Sequence, residues 1–122
     1  TYHVPFFPSH REFEGGLSVA GREQWMPIVD EMRAPIAFEH HDHTFKRSYP
    51  IRNGEKADDG TVYLGDGCMG VGPREILDPL PWYLEKASST AHIWVVDMAN
   101  GRIACRAIDK DGKEFDSITL NR

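Results

Sequence analysis

Hydrophobic positions along the chain change their spacing from segment to segment, and each change marks an element. Trp25, Ile28, Val29 and Met32 stand at i, i+3, i+4 and i+7, the stripe of one amphipathic helix predicted over Glu23 to Arg33. Pro27 must lie in its first turn, where a missing N–H costs nothing, and Pro35 ends it. Ile36-Ala37-Phe38 reads as a short buried strand that delivers the chain into Glu39-His40-His41-Asp42-His43. Phe45 to Ile51 and Thr61 to Leu64 read as two strands of a hairpin, joined by the turn-rich Arg52 to Gly60. Ala91 to Met98, Arg102 to Ile108 and Glu114 to Leu120 form a meander, punctuated by Asn100-Gly101 and Asp111-Gly112. The period of two puts His92, Trp94 and Val96 on one of its faces. Less regular stretches predict a long loop from Pro5 to Gly21 and a single helical turn over Pro81 to Lys86, with Trp82 facing inward.

Composition narrows the picture. With 122 residues, 40% of them hydrophobic, the chain can bury a core of its own. A net charge of −5, with scattered basic residues, argues against nucleic acid as a partner. No apolar run is long enough to span a bilayer, and Thr1 to Ser9 lack the features of a signal peptide. Thr1-Tyr2-His3-Val4 reads as the end of a strand closed by Pro5, so the expectation is a chain that continues upstream. Cys68 and Cys105 fit one disulfide or two reduced thiols equally well, and their spacing is not that of a zinc site.

The strongest chemical feature is His41-Asp42-His43. On an extended segment its two imidazoles project to the same side and can reach one metal or two neighbouring metals, with Glu39 in the same parity. A solvated polar loop would show the same pattern. Two other His-x-His sites fail here: a cupin needs a glutamate shortly after the second histidine, and a metallo-β-lactamase needs Asp-His where Phe45 and Lys46 stand.

The wider context, His3-Val4-Pro5-Phe6-Phe7-Pro8-Ser9, a loop, a helix, a short apolar strand and His41-Asp42-His43-Thr44-Phe45-Lys46-Arg47, resembles the C-terminal motifs of purple acid phosphatases, members of the calcineurin-like metallophosphoesterase superfamily. Gly60-Thr61-Val62-Tyr63-Leu64-Gly65-Asp66-Gly67 and the closing meander look like that family's ending, so the resemblance covers nearly the whole chain. It implies an α/β fold (α+β as an isolated fragment): the C-terminal portion of a four-layer β-sandwich, mainly β with one clear helix. Residues 1–122 would then be the C-terminal part of a catalytic domain.

Carried over, His3 and His41 would ligate one metal and His43 the other, in a dinuclear centre of Fe, Zn or Mn whose remaining ligands come from earlier motifs. The implied chemistry is phosphoester hydrolysis, two ions clamping the phosphate and activating a water. His10, in the loop where the family places phosphate-contacting histidines, would bind substrate or protonate the leaving group. His40 departs from the family's glycine, so its imidazole must point away or join the metal ligands, and Phe45 replaces a tyrosine. Arg47 matches the family's arginine, but reads as a packing or ion-pair residue. The resemblance further implies a phosphate-ester small molecule as substrate and export from the cell. An unpaired N-terminal sheet edge predicts self-association. The isolated 122 residues are expected to be inactive, and the competing reading is a non-enzymatic β-rich module with a weak metal site or none.

Overall fold

The structure is a computed structural model and describes residues 1–65, 68 and 70–121. The site is carried by a mixed sheet in which β1 (Ile36–Glu39), β5 (Val62–Gly65), β2 (Phe45–Ser48) and β6 (Leu84–Ser88) lie side by side in that order. β1 runs parallel to β5, and the other neighbours are antiparallel. β1 and β5 are short and largely apolar because this sheet is covered on both faces, and Lys46, Arg47 and Ser48 of β2 are buried in it as well. On one face Ala37 and Tyr63 join Phe6, Phe7, Ile51, Tyr83 and Leu84 in a core beneath the helices. On the other, Val62 and Leu64, with Ile36 and Phe38, meet the meander.

The meander is β7 (His92–Ala99), β8 (Arg102–Asp109) and β9 (Glu114–Asn121), within a residue of expectation at each end. Asn100 and Gly101 both take positive φ, 51° and 74°, the backbone that a two-residue hairpin turn requires. Ile103, Cys105 and Ala107 alternate into the core, where Trp94, Val96, Ile118 and Leu120 pack beside them. Cys68 and Cys105 are both buried and free.

The expected hairpin between β2 and β5 forms, but β2 ends at Ser48 instead of Ile51, because Pro50 has no N–H to give a ladder. The connection carries its own small ribbon, β3 (Ile51–Arg52) and β4 (Glu55–Lys56), folded over Asn53-Gly54. Pro81 to Lys86 is not a helical turn: a tight turn closed by the Leu84 N–H on the Pro81 carbonyl leads straight into β6, Tyr83 is the buried ring, and Trp82 is 47% exposed.

The helical region departs furthest from expectation. Two segments, α1 (Gly16–Gln24) and α2 (Met26–Glu31), meet at Trp25, and α1 lies largely within the stretch read as a loop. Pro27 sits at the start of α2, as its missing donor demands. One of the glycines that suggested a loop has a packing cause: a Cβ on Gly21 would stand 2.6 Å from the Phe6 ring, so the helix can approach the core only with glycine there. Arg22 anchors the preceding segment to α1, donating to the carbonyls of Phe6 and Phe13, both at 2.7 Å, and lying over the Phe13 ring.

The predicted stripe faces outward. Trp25 is 61%, Ile28 46% and Met32 69% exposed, and only Val29 packs against the core. Trp25, Ile28 and Val29, with Leu17 and Val4, flank an apolar groove of about 510 Å³ beside Tyr2. Tyr2 pairs with Glu39 as an isolated parallel bridge, so the N-terminal segment lies along the β1 edge of the sheet.

Candidate metal centre

The histidine cluster follows directly from the end of β1. Beyond Glu39 the backbone does not stay extended: the Asp42 N–H donates to the His40 carbonyl at 2.9 Å, closing a γ-turn on His41. His41 and His43 have φ of 72° and 57°, a conformation that ordinary side chains avoid and that concentrates at functional sites. The parity argument from an extended strand therefore does not hold; the turn itself aims the two imidazoles. Glu39 is also not beside them. It is fully buried, accepting hydrogen bonds from Tyr2 Oη (2.6 Å), the Phe6 N–H (2.7 Å) and Lys46 Nζ (2.5 Å), and Lys46 Nζ donates also to the Phe7 carbonyl. The pair ties the His3 segment to both strands that flank the turn.

Asp42 points the other way from its neighbours and clamps the loop. Its Oδ2 accepts the N–H groups of Ser9 (2.7 Å) and His10 (3.0 Å), and its Oδ1 faces Arg11 Nε at 3.3 Å. A third wall comes from Arg74 to Leu77: the Arg74 N–H donates to the His43 carbonyl, His10 Nδ1 meets the Glu75 carbonyl at 2.8 Å, and the Leu77 N–H donates to Ser9.

These constraints bring His3 and His41, 38 residues apart, into contact, with Nε2 of one 2.8 Å from Nδ1 of the other. Two imidazole nitrogens on one tetrahedral ion, each bound at about 2.0–2.1 Å, lie roughly 3.3 Å apart, so a small opening of this pair fits one metal. Burial first, then the charge of Arg11, pushes the His41 pKa below its usual 6.5. Burial and then Arg74 do the same to His43. Both therefore favour the neutral imidazole, the form that binds metal. Among the described residues no group of three or more His, Cys, Asp or Glu is arranged to hold an ion.

His10 and His41 line one cleft of about 450 Å³. Because a carbonyl can only accept, His10 Nδ1 donates to Glu75, and Nε2 is the ring nitrogen left for a substrate. His40 points away, with Nε2 2.7 Å from Thr1 Oγ1. Arg47 is an ion-pair residue, held between Asp116 (3.2 Å) and Glu85 (3.4 Å), and Phe45 packs among His92, Trp94 and Phe115. Sequence reasoning missed Asp42, Arg11 and Arg74, none of which stands in a periodic pattern.

No family model matches the sequence, and no match is found among characterised proteins compared by sequence. Solved structures do match. A purple acid phosphatase, PPD1 from seeds of yellow lupin (Lupinus luteus), superposes with a TM-score of 0.81 at 18% identity over 98% of this chain and 24% of its own. GAP50, described as the anchor in the inner membrane complex of Plasmodium, superposes with a TM-score of 0.74 at 16% identity over 98% of this chain and 34% of its own. The chain thus spans a quarter to a third of the length of these structures. No helix among the described residues is long and apolar enough to cross a membrane. Over nearly its whole length the chain has the fold of the matching part of that purple acid phosphatase, mainly β with one bent helix.

Proposed function

We propose that this chain is the histidine-bearing, C-terminal part of a metal-dependent phosphoester hydrolase. The observation that carries the reading is the His3–His41 contact, which brings together two imidazoles 38 residues apart on a turn of positive φ. His3 and His41 would hold one ion and His43 a second, Fe, Zn or Mn, with the other ligands supplied by residues outside this chain. Bound there, the ions would polarise the phosphoester and acidify a water. The chain's own part is to position: Asp42 and the Glu39–Lys46 pair fix the three segments, and His10, oriented by Glu75, holds the proton for the leaving group at Nε2. Export of the parent protein belongs to the same reading.

Cobalt(II) absorption tests the ligand set on the 122-residue chain. A weak imidazole-type spectrum, lost in His3→Ala, is expected; no binding above that of unfolded chain would count against it. Expression of the gene's full product should yield chelator-sensitive hydrolysis of p-nitrophenyl phosphate. An inactive full product would favour the second reading, a non-enzymatic module. That reading draws support from the fold's occurrence in a protein described as an anchor.

A further inference from the structure

We propose that Ser9 and Thr44 are positioning residues for His10: through a buried pair of hydroxyls they hold its ring so that Nε2 is the nitrogen offered to the leaving group. This rests on the phosphoester reading above. Ser9 is fully buried, and each of its polar groups has a partner outside its own loop. Its N–H donates to Asp42 Oδ2 at 2.7 Å, its carbonyl accepts the Leu77 N–H at 2.8 Å, and its Oγ lies 2.6 Å from Thr44 Oγ1 and 3.3 Å from Asp42 Oδ2.

A hydroxyl has one proton to give, and a carboxylate oxygen only accepts. The Ser9 proton is therefore directed at Asp42, and Thr44 donates to Ser9, which makes a relay running from Thr44 through Ser9 to Asp42. Thr44 and Asp42 are buried as well, so bulk water does not compete for these bonds. Both ends of the relay reach His10. Asp42 Oδ2 also takes the His10 N–H at 3.0 Å, and the segment of Leu77 carries the Glu75 carbonyl that faces His10 Nδ1 at 2.8 Å. His10 is thus held by its backbone on one side and by its ring on the other, with Ser9 tying the two walls together. The Glu75 contact keeps the ring proton on Nδ1. A misplacement of about 1 Å, transmitted from residues that never touch substrate, can cost on the order of 10²-fold in rate.

Nitrogen NMR of the isotope-labelled 122-residue chain, above the titration range of histidine, reads the tautomer of His10 directly. The parent should carry its proton on Nδ1. Thr44→Val keeps the shape and removes the donor, so part of the ring should convert to the Nε2–H form that histidine favours in water; Ser9→Ala should do the same. Thr44→Ser restores the hydroxyl and should return the parent signature. Thr61→Val removes an equally buried hydroxyl, bonded to the Ala34 carbonyl at 2.7 Å at the end of β1 and β5 away from the turn, and should leave the tautomer unmoved. A tautomer unchanged in both Thr44→Val and Ser9→Ala, or lost equally in Thr61→Val, would overturn the proposal. If Thr44→Val loses its fold by circular dichroism, Ser9→Ala decides. Activity of the gene's full product separates this idea from the phosphoester reading. In Thr44→Val, kcat/KM should fall about tenfold for phenyl phosphate and hardly at all for p-nitrophenyl phosphate, whose better leaving group needs no proton. A moved tautomer in a full product that hydrolyses neither ester sinks the phosphoester reading and keeps the hold on the ring. Equal losses on both esters with an unmoved tautomer sink the positioning and keep that reading.

Discussion

Lys46→Met puts the buried Glu39–Lys46 pair to a quantitative test. Both side chains are at most 1% exposed, and the substitution conserves volume while removing the cation. Glu39 would keep the donors from Tyr2 and Phe6, but its charge would stand uncompensated in the core. Breaking such a pair from one side costs about 3–5 kcal/mol. For a domain of this size that corresponds to a fall of roughly 10–20 °C in Tm. Glu39→Gln relieves the charge while keeping an acceptor for Phe6, so the double variant Glu39→Gln/Lys46→Met should cost less than the sum of the two, with a coupling of about 2 kcal/mol or more. The assay is urea unfolding of the four proteins, followed by circular dichroism. Additivity within about 0.5 kcal/mol would refute the argument, since it would mean that the two charges do not sense each other.

Asp42→Ala strips the acceptor from two loop N–H groups and should cost about 2–4 kcal/mol in the same assay, with cobalt affinity falling in parallel; Asp42→Asn should lose less, because one oxygen remains. The lowered pKa values of His41 and His43 mean that the unfolded chain binds more protons below pH 6.5, so stability present above that value should be lost as the pH falls through the lower folded values. Ring-proton NMR should give both titration midpoints below 6.5; a midpoint above it would contradict the assignment. The outward stripe of Trp25, Ile28 and Met32, next to the sheet edge at Tyr2, should drive self-association, seen by light scattering as a mass that rises with concentration and falls in Trp25→Ser. A monomer at all concentrations would count against it.

The meander and the β2–β5 hairpin were legible in the sequence because alternation and Asn-Gly turns are local signals. The helix was legible only in part. Gly15, Gly16 and Gly21 signal a loop locally, and the reason for Gly21, the Phe6 ring against it, exists only once the chain has folded. Of the candidate site, His3, His41, His43 and His10 were named from the sequence, and the structure brings His3 to His41 and places His10 on the same cleft. The expected geometry was wrong, since the parity of an extended strand is broken by positive φ at both outer histidines of the motif. Asp42, Arg11 and Arg74 act across 31 to 33 residues of sequence, and such pairings leave no trace in spacing.

The backbone of the 41–43 turn bears on how its chemistry can be dissected. A residue at φ near +60° is chosen first for tolerating that shape, and asparagine tolerates it as histidine does, while alanine or valine pays a conformational cost before any ligand is lost. An alanine scan at His41 or His43 would therefore report folding and metal affinity mixed together. Asparagine replacements would remove the imidazole and leave the turn, which makes these two positions places where the ligand can be edited separately from the scaffold that presents it.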